Sequence, residues 1–385
     1  MPFVHAFAAI GLAALAVAAG YAVLAAVAVL LWSGRRAPTP SMQGPPVTVL
    51  KPLCGAEPGL YSNLRSFCEQ DHPAYQIVFG VRDPADPALA VVDQLRLAFP
   101  SLPIDVVVNP QLHGSNFKVS NLINMLARAQ YDVLTIADSD TRVGSDYLRS
   151  VTAPLLDRGV GLVTSIYRDV PTGSIWSRLG AMYINEWYMP SVLLARLFGH
   201  QGYVSGQTIC LRRDTLQAVG GLQSLANHLA DDHRLGELVG GLGLRIVLTP
   251  YVVRADHHEP SWDSLARHDL RWMRTIRALR PRSYCFLFFS FSLPLAIAGM
   301  LLAAAQTPVS TAAWALFLAT VVARLMLHCA PWLRGDRPPL ADLWLVPARD
   351  LLLVWAWLRA FFVSRISWRG SEFDVGTGGV MRRSS

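Results

Sequence analysis

The sequence predicts an α/β domain built on a mostly parallel sheet and tied to a membrane at both ends. Three observations predict it. Between Val47 and about Arg254, short β-branched apolar runs alternate with helix-length stretches, the pattern of strands joined by helical crossovers. Acidic residues follow several of those runs directly, as at Arg82-Asp83 and Asp138-Ser139-Asp140. Long uncharged apolar stretches flank the alternating region on both sides. Composition agrees: of 385 residues, 52% are hydrophobic and only 16% charged, too apolar for a wholly soluble chain.

Phe3 to Trp32 is a continuous run rich in Ala, Val and Leu, with Arg35 and Arg36 directly after it. About 20 apolar residues span a bilayer, so residues 1–36 read as a transmembrane anchor. No basic residues precede the run, and it is too long for the apolar centre of a signal peptide. The two arginines place the domain beyond them on the cytoplasmic side.

Ala37 to Pro46 is a Pro-rich linker, and residues 47–282 read as the soluble-type domain. Val47 to Leu50 is its first strand, ending at Lys51-Pro52-Leu53-Cys54-Gly55. Leu60 to Glu69 reads as a helix, Gln76 to Val81 as the second strand, Pro87 to Phe99 as a helix and Ile104 to Val108 as the third strand. Phe117 to Ala129 is an amphipathic helix carrying Lys118 and Asn121, and it leads into the strand Val133 to Ala137. Gly161 to Ser165 is a further strand. Trp176 to Phe198 has many aromatics and few charges; it reads either as a core helix or as a helix lying in the membrane interface. At Gly206-Gln207-Thr208 the backbone can approach a ligand closely. Asp231 and Asp232 open a helix, where acidic side chains complement the dipole.

Ser261 to Arg282 is basic, with Arg267, Arg271 and Arg274 on one helical face. Such arginines either mark the cytoplasmic side of a membrane segment or clamp a departing diphosphate. Residues 283–364 read as a second membrane region. Tyr284 to Gln306 and Val309 to Ala330 are expected to be two spans joined at Thr307-Pro308, returning to Arg334 and Arg337. Leu340 to Val363 has Pro347, Arg349 and Asp350 in its middle, and charge at a bilayer centre costs several kcal/mol. A broken re-entrant hairpin or an interfacial helix pair is therefore expected there. Residues 365–385 form a cytoplasmic tail.

The net charge of +7 is nearly all arginine, Lys51 and Lys118 being the only lysines. The excess is too small and too close to the membrane segments to point to nucleic acid. The five cysteines form no CxxC pair or zinc spacing, so reduced thiols are expected.

Asp138 and Asp140 carry the chemistry. Carboxylates two apart on an extended backbone point the same way and repel unless a cation sits between them. Oxygen ligands without thiolates suit Mg²⁺ or Mn²⁺, often shared with a substrate phosphate. A polar strand end or an Asx-turn is the plainer alternative. Parallel sheets bind ligands at the carboxyl ends of their strands, where Asp83, Asp138 and Asp140 should converge. A nucleotide is the usual guest, but neither GxGxxG nor GxxxxGK[ST] is present. His257 and His258 could also reach the metal.

Lys51-Pro52-Leu53-Cys54-Gly55, Gln70-Asp71-His72-Pro73, Asp83, Asp138-Ser139-Asp140, Asp231-Asp232 and Arg271-Trp272 follow one another as motifs do in ceramide glucosyltransferases. The chain resembles that membrane-bound branch of the inverting GT-A (Rossmann-like) glycosyltransferases, known for three separated aspartates and a (Q/R)xxRW motif. The resemblance runs from about Thr48 to Arg280 and extends to the membrane layout. The chain is similar too to the bacterial hopanoid-biosynthesis glycosyltransferases, which add N-acetylglucosamine to a hopanoid polyol; its Arg-rich, Lys-poor, Ala-rich composition tilts toward them and toward a bacterial inner membrane. Two departures stand out. His268 replaces Gln or Arg in His268-Asp269-Leu270-Arg271-Trp272, which leaves the acceptor or diphosphate contact open. Asp140 adds a second carboxylate where ceramide enzymes often keep only the first.

The resemblance implies a UDP-sugar donor and a membrane-lipid acceptor, hopanoid or sphingolipid. It implies that Asp83 binds the uridine and Lys118 supports the nucleotide. Asp138 and Asp140 would hold the divalent cation, and Asp232 would be the general base. Arg271 and Trp272 would close over the diphosphate and acceptor. A processive polysaccharide synthase would share the sheet and the Arg-Trp pair, but the few spans and the missing Gln at 268 oppose it. Intact acidic positions oppose a catalytically silent scaffold.

Overall fold

The computed structural model describes residues 2–35, 44–304, 308–330, 340–363, 365–368 and 371–383. The chain forms two compact units, each assembled from separated segments. One contains Met1–Arg35, Gly173–Gly199 and Glu259–Ser367; the other contains Arg36–Thr172, His200–His258 and Trp368–Ser385.

The second unit holds an eight-stranded sheet. Its strands are β1 (Val47–Pro52), β2 (Tyr75–Val81), β3 (Ile104–Val108), β4 (Val133–Ile136), β5 (Thr141–Arg142), β6 (Val160–Pro171), β7 (Ile209–Arg212) and β8 (Arg245–His257), in the order β3-β2-β1-β4-β7-β6-β8-β5. β3, β2, β1 and β4 are mutually parallel, as are β6 and β8; β7 runs antiparallel to both β4 and β6, and β5 to β8. The continuous apolar runs of β1, β2 and β4 suit strands buried on both faces. Leu50 lies opposite Val78 on one side and Ile136 on the other. These three pack in one core with Val119, Leu122 and Met125, which recur every third residue on the helix Phe117–Leu126. Asn116 caps that helix, its side chain accepting the Val119 N–H at 3.0 Å.

The extended backbone expected through Asp140 stops earlier. β4 ends at Ile136, and Asp138-Ser139-Asp140 form a turn closed by the Thr141 N–H on the Asp138 carbonyl at 3.2 Å. The two carboxylates therefore meet at a strand end through a tight turn, not through strand alternation. β6 outruns the expected Gly161 to Ser165 because β8 pairs with it all the way to Pro171 opposite His257.

The first unit is helical. Phe3–Ser33 and Thr311–Cys329 are long and apolar enough to cross a bilayer by length and composition. The expected span over Tyr284 to Gln306 is shorter: a 3₁₀ turn at Leu287–Ser290 precedes a 12-residue helix, Ser292–Ala303. Pro294 explains the late start, since its ring excludes a preceding helical turn. Thr307, Arg334 and Arg337 lie outside the described residues, as does the linker from 37 to 43.

The segment Leu340 to Val363 contains a single helix, Leu345–Arg359, after a 3₁₀ turn. Pro347 sits in its first turn, where no backbone donor is needed, and its charges are answered by partners. Arg349, 0% exposed, meets Asp269 at 2.7 Å. Arg324 joins Asp350 at 2.8 Å and Glu186 at 2.7 Å, and His328 adds a 2.7 Å contact to Glu186. Glu186 rides on the π-helical turn Ile184–Tyr188. Trp176 to Phe198 thus splits its roles: Trp187 and Leu193 are buried, while Leu197 and Phe198 are exposed. Arg349→Leu should leave Asp269 buried and unpaired, lowering stability by about 3–5 kcal/mol. Thermal unfolding in detergent measures this, and adding Asp269→Leu should recover most of the loss.

Candidate functional site

The turn after β4, the end of β1 and the starts of two helices bring their polar groups together in the sheet unit. Lys51 is fully buried. Its Nζ donates to the Asp138 carbonyl at 2.6 Å and lies 3.8 Å from the centre of the Phe67 ring. Lys118, at the start of the helix Phe117–Leu126, places Nζ 2.7 Å from Asp138 Oδ1 and 3.4 Å from Asp231 Oδ2. Asn116 Nδ2 reaches the other Asp231 oxygen at 3.4 Å. Asp232, beside it at the start of the helix Asp231–Gly241, accepts the Gly206 N–H at 3.0 Å and the His233 N–H at 2.7 Å. Gly206 lies close against the Asp138–Lys118 pair: a Cβ there would come within 2.8 Å of Asp138 Oδ2 and 3.0 Å of Lys118 Nζ, so a side chain would push on the ion pair. The sequence suggests ligand approach at the Gly206 backbone; the structure shows that backbone holding Asp232.

Asp138, Asp231, Asp232 and Lys118 are thus one cluster. Burial works against the Lys118 charge, but Asp138 and Asp231 hold its ammonium well above the usual lysine range. Burial, and then the Asp231 charge, push Asp232 up to about 6. Burial, and then the Asp138 charge, push Asp140 up to about 7, while burial brings Lys51 down to about 7. Asp140 Oδ1 is out of contact with solvent and has no hydrogen-bond partner among the described residues. An orphaned carboxylate oxygen beside a second carboxylate, with oxygen donors only, fits a hard divalent cation.

Asp169 and His257 form a buried pair at 2.7 Å, joining β6 to the end of β8, and the Asp169 charge also raises Asp140. His258 is exposed, with Nδ1 3.2 Å from Thr172 Oγ1. Asp83 stands exposed at the carboxyl end of β2, its carboxylate accepting the Ala85 N–H at 2.8 Å. Next to it, Arg82 lies 4.4 Å from the ring centre of Phe117, the residue before Lys118.

Arg271 and Trp272 belong to the other unit, on the helix Trp262–Leu279. Trp272 Nε1 donates to His268 Nε2 at 2.7 Å, and His268 Nδ1 lies 2.6 Å from the buried Glu259 carboxylate. Since Nε2 accepts, the ring proton sits on Nδ1 and faces Glu259. The histidine that replaces Gln or Arg therefore holds the tryptophan of the motif. Sequence reasoning missed Lys51, Asn116, Asp169 and Glu259 as members of these networks. Only Lys51, one of two lysines and at a strand end, carried a signal.

Residues 10–381 match the family described as Glycosyl transferase family 21. The chain belongs to that family. Among curated relatives, ceramide glucosyltransferase 3 of Caenorhabditis elegans is 21% identical over 362 residues, covering 87% of this chain and 74% of the relative. The ceramide glucosyltransferase of Komagataella phaffii is 34% identical over 119 residues, 30% of this chain and 23% of that protein. Among solved structures, mannosyltransferase PcManGT from Pyrobaculum calidifontis, in complex with GDP-Man and Mn²⁺, superimposes with a TM-score of 0.53 at 17% identity, covering 92% of this chain and 99% of that one. At that identity the likeness speaks to the fold, which is GT-A. The family 21 chain is a glycosyltransferase.

Proposed function

We propose that this family 21 enzyme moves a hexosyl group, glucose or N-acetylglucosamine, from a UDP-sugar to a hydroxyl of a membrane lipid, a hopanoid polyol or a ceramide. The observation that carries the reading is the cluster of Asp138, Lys118, Asp231 and Asp232 around Gly206. Asp138 and Asp140 would hold Mg²⁺ or Mn²⁺ through their carboxylate oxygens. When bound, such an ion supplies positive charge against the diphosphate.

The residues divide the remaining work. Asp232 takes the proton of the acceptor hydroxyl as that oxygen bonds to the anomeric carbon. The bond to UDP breaks, and its electron pair leaves with the diphosphate. One displacement inverts the configuration. Lys118 contributes its charge to the nucleotide site and fixes Asp138 and Asp231. Asp83 is assigned to the uridine, and Arg271 and Trp272 to the diphosphate and acceptor. The two apolar helices, with Arg35 and Arg36 after the first, support a membrane enzyme whose catalytic unit faces the cytoplasm of a bacterial cell.

A base pushed up to about 6 is poised for proton transfer near neutrality. It works ionised, so turnover should rise roughly tenfold per pH unit below pH 6 and level off above it. A profile flat from pH 5 to 8 would remove Asp232 from this role. The central test supplies the enzyme in nanodiscs with UDP-glucose or UDP-N-acetylglucosamine, a divalent cation, and ceramide or a hopanoid polyol. UDP release with a singly glycosylated lipid of inverted anomeric configuration is expected. A retained configuration, or no release with either lipid, would overturn the reading; long products would favour a polysaccharide synthase.

A further inference from the structure

We infer that the carboxyl-terminal hairpin, residues 371–383, positions the catalytic helices, acting through the segments that precede Lys118 and Asp231. The inference rests on the roles proposed above for Lys118 and Asp232. It names positioning residues for the reaction in a part of the chain that none of the motifs reaches.

The hairpin pairs Ser371–Val375 with Met381–Arg383, with Phe373 opposite Arg383 and Val375 opposite Met381. It docks on the segment from Ala226 to Leu229: the Met381 N–H donates to the Asn227 carbonyl at 2.8 Å, and the Leu229 N–H donates to the Gly379 carbonyl at 2.9 Å. The turn presenting that carbonyl holds Gly379 at φ +76, a conformation side chains disfavour. Asp231 begins its helix two residues after Leu229.

The same hairpin grips the other helix. Ser115 Oγ donates to the Met381 carbonyl at 2.8 Å and its backbone N–H donates to Asn227 Oδ1 at 3.0 Å, so this one residue ties the tail to both segments. Asn116 is next in the chain. Its N–H donates to the Ala226 carbonyl, its Nδ2 reaches the His228 carbonyl at 2.8 Å and Asp231 Oδ1 at 3.4 Å, and its Oδ1 caps the Lys118 helix. Phe373, 0% exposed, packs edge-on against Phe117 at 5.7 Å between ring centres, next to Lys118 itself.

Nothing in the hairpin touches Asp138 or Asp232 among the described contacts. Its effect is on spacing: the start of the Lys118 helix and the start of the Asp231 helix are both pinned to it. A shift of about 1 Å between groups that must act together costs roughly 10²-fold in rate. Removal of the hairpin should therefore lower kcat while leaving the acidic side chains and the sheet core in place.

The test uses the full chain in detergent and four variants: a stop after residue 370, Phe373→Ala, Phe373→Leu and Ser115→Ala. Expected are a kcat loss of roughly 10²-fold for the truncation and for Phe373→Ala, a much smaller change in KM for the UDP-sugar, and partial recovery in Phe373→Leu. Adding a synthetic peptide of residues 371–385 should restore the truncated enzyme. Wild-type kcat in the truncation or in Phe373→Ala overturns the inference. So does a loss that matches the unfolded fraction by circular dichroism and is not recovered by peptide or by Phe373→Leu, because the hairpin would then serve stability alone. Asp232→Asn measured alongside separates the two claims: normal turnover there sinks the site assignment, whereas an inactive Asp232→Asn beside a fully active truncation sinks only the hairpin's role.

Discussion

Asp232→Asn is expected to lower turnover by roughly 10²–10⁴-fold, the range a positioned general base contributes, with UDP-sugar affinity little changed. The substitution keeps the side chain's shape, but Gly206 and His233 donate to separate Asp232 oxygens, so one of the two N–H groups loses its acceptor. The effect read in kcat is the lost capacity to accept a proton, and unchanged UDP-sugar affinity shows that the lost N–H acceptor has not displaced the site. Asp231→Asn should behave differently. That carboxylate faces Lys118 and Asn116, so its loss should weaken the arrangement around Lys118 and leave proton transfer possible. Single-turnover rates paired with calorimetric nucleotide binding distinguish the two. A wild-type single-turnover rate in Asp232→Asn would eliminate it as the base.

The second large effect is expected at the acidic turn. Asp138→Ala and Asp140→Asn should each weaken the divalent-cation dependence of UDP binding by roughly 10–100-fold or more, since even outer partners of metal ligands cost that much. The two positions reach this result from different starting points. Asp138 is neutralised by Lys118, whereas Asp140 carries an oxygen with no hydrogen-bond partner among the described residues. Mn²⁺ titrations in the presence of UDP, read by electron paramagnetic resonance, give the affinity directly. Unchanged Mn²⁺ affinity in both variants would remove the assignment, as would full activity of the wild-type enzyme after exhaustive chelation.

The fold was legible where burial leaves a local mark. Val47 to Leu50, Gln76 to Val81 and Val133 onward were readable as strands because central parallel strands carry mostly apolar runs, and Ile104 to Val108, at the sheet's edge, from its β-branched residues. The Lys118 helix was readable from Val119, Leu122 and Met125 on one face. Where the sequence misled, a long-range partner decided the outcome. Arg349 and Asp350 looked prohibitive inside an apolar stretch because Asp269 lies 80 residues away and Arg324 lies 26 away. Asp169 and His257 are 88 positions apart and meet only because β6 and β8 pair along their full length. Asp138, Lys118 and Asp232 were nameable by type and place, whereas Asp231 read as a dipole partner at its helix start. Lys51 as a buried neighbour of Asp138, and Asn116 as the link to Asp231, depend on tertiary contacts that no spacing encodes.

The interleaved path of the chain has a bearing on synthesis. The sheet unit receives residues 36–172, then 200–258, then 368–385, with membrane-unit segments made between each instalment. A ribosome will therefore have delivered every aspartate of the acidic cluster more than a hundred residues before it delivers Phe373. Until residues 371–383 emerge, the contacts they make on the segments before Lys118 and Asp231 are absent.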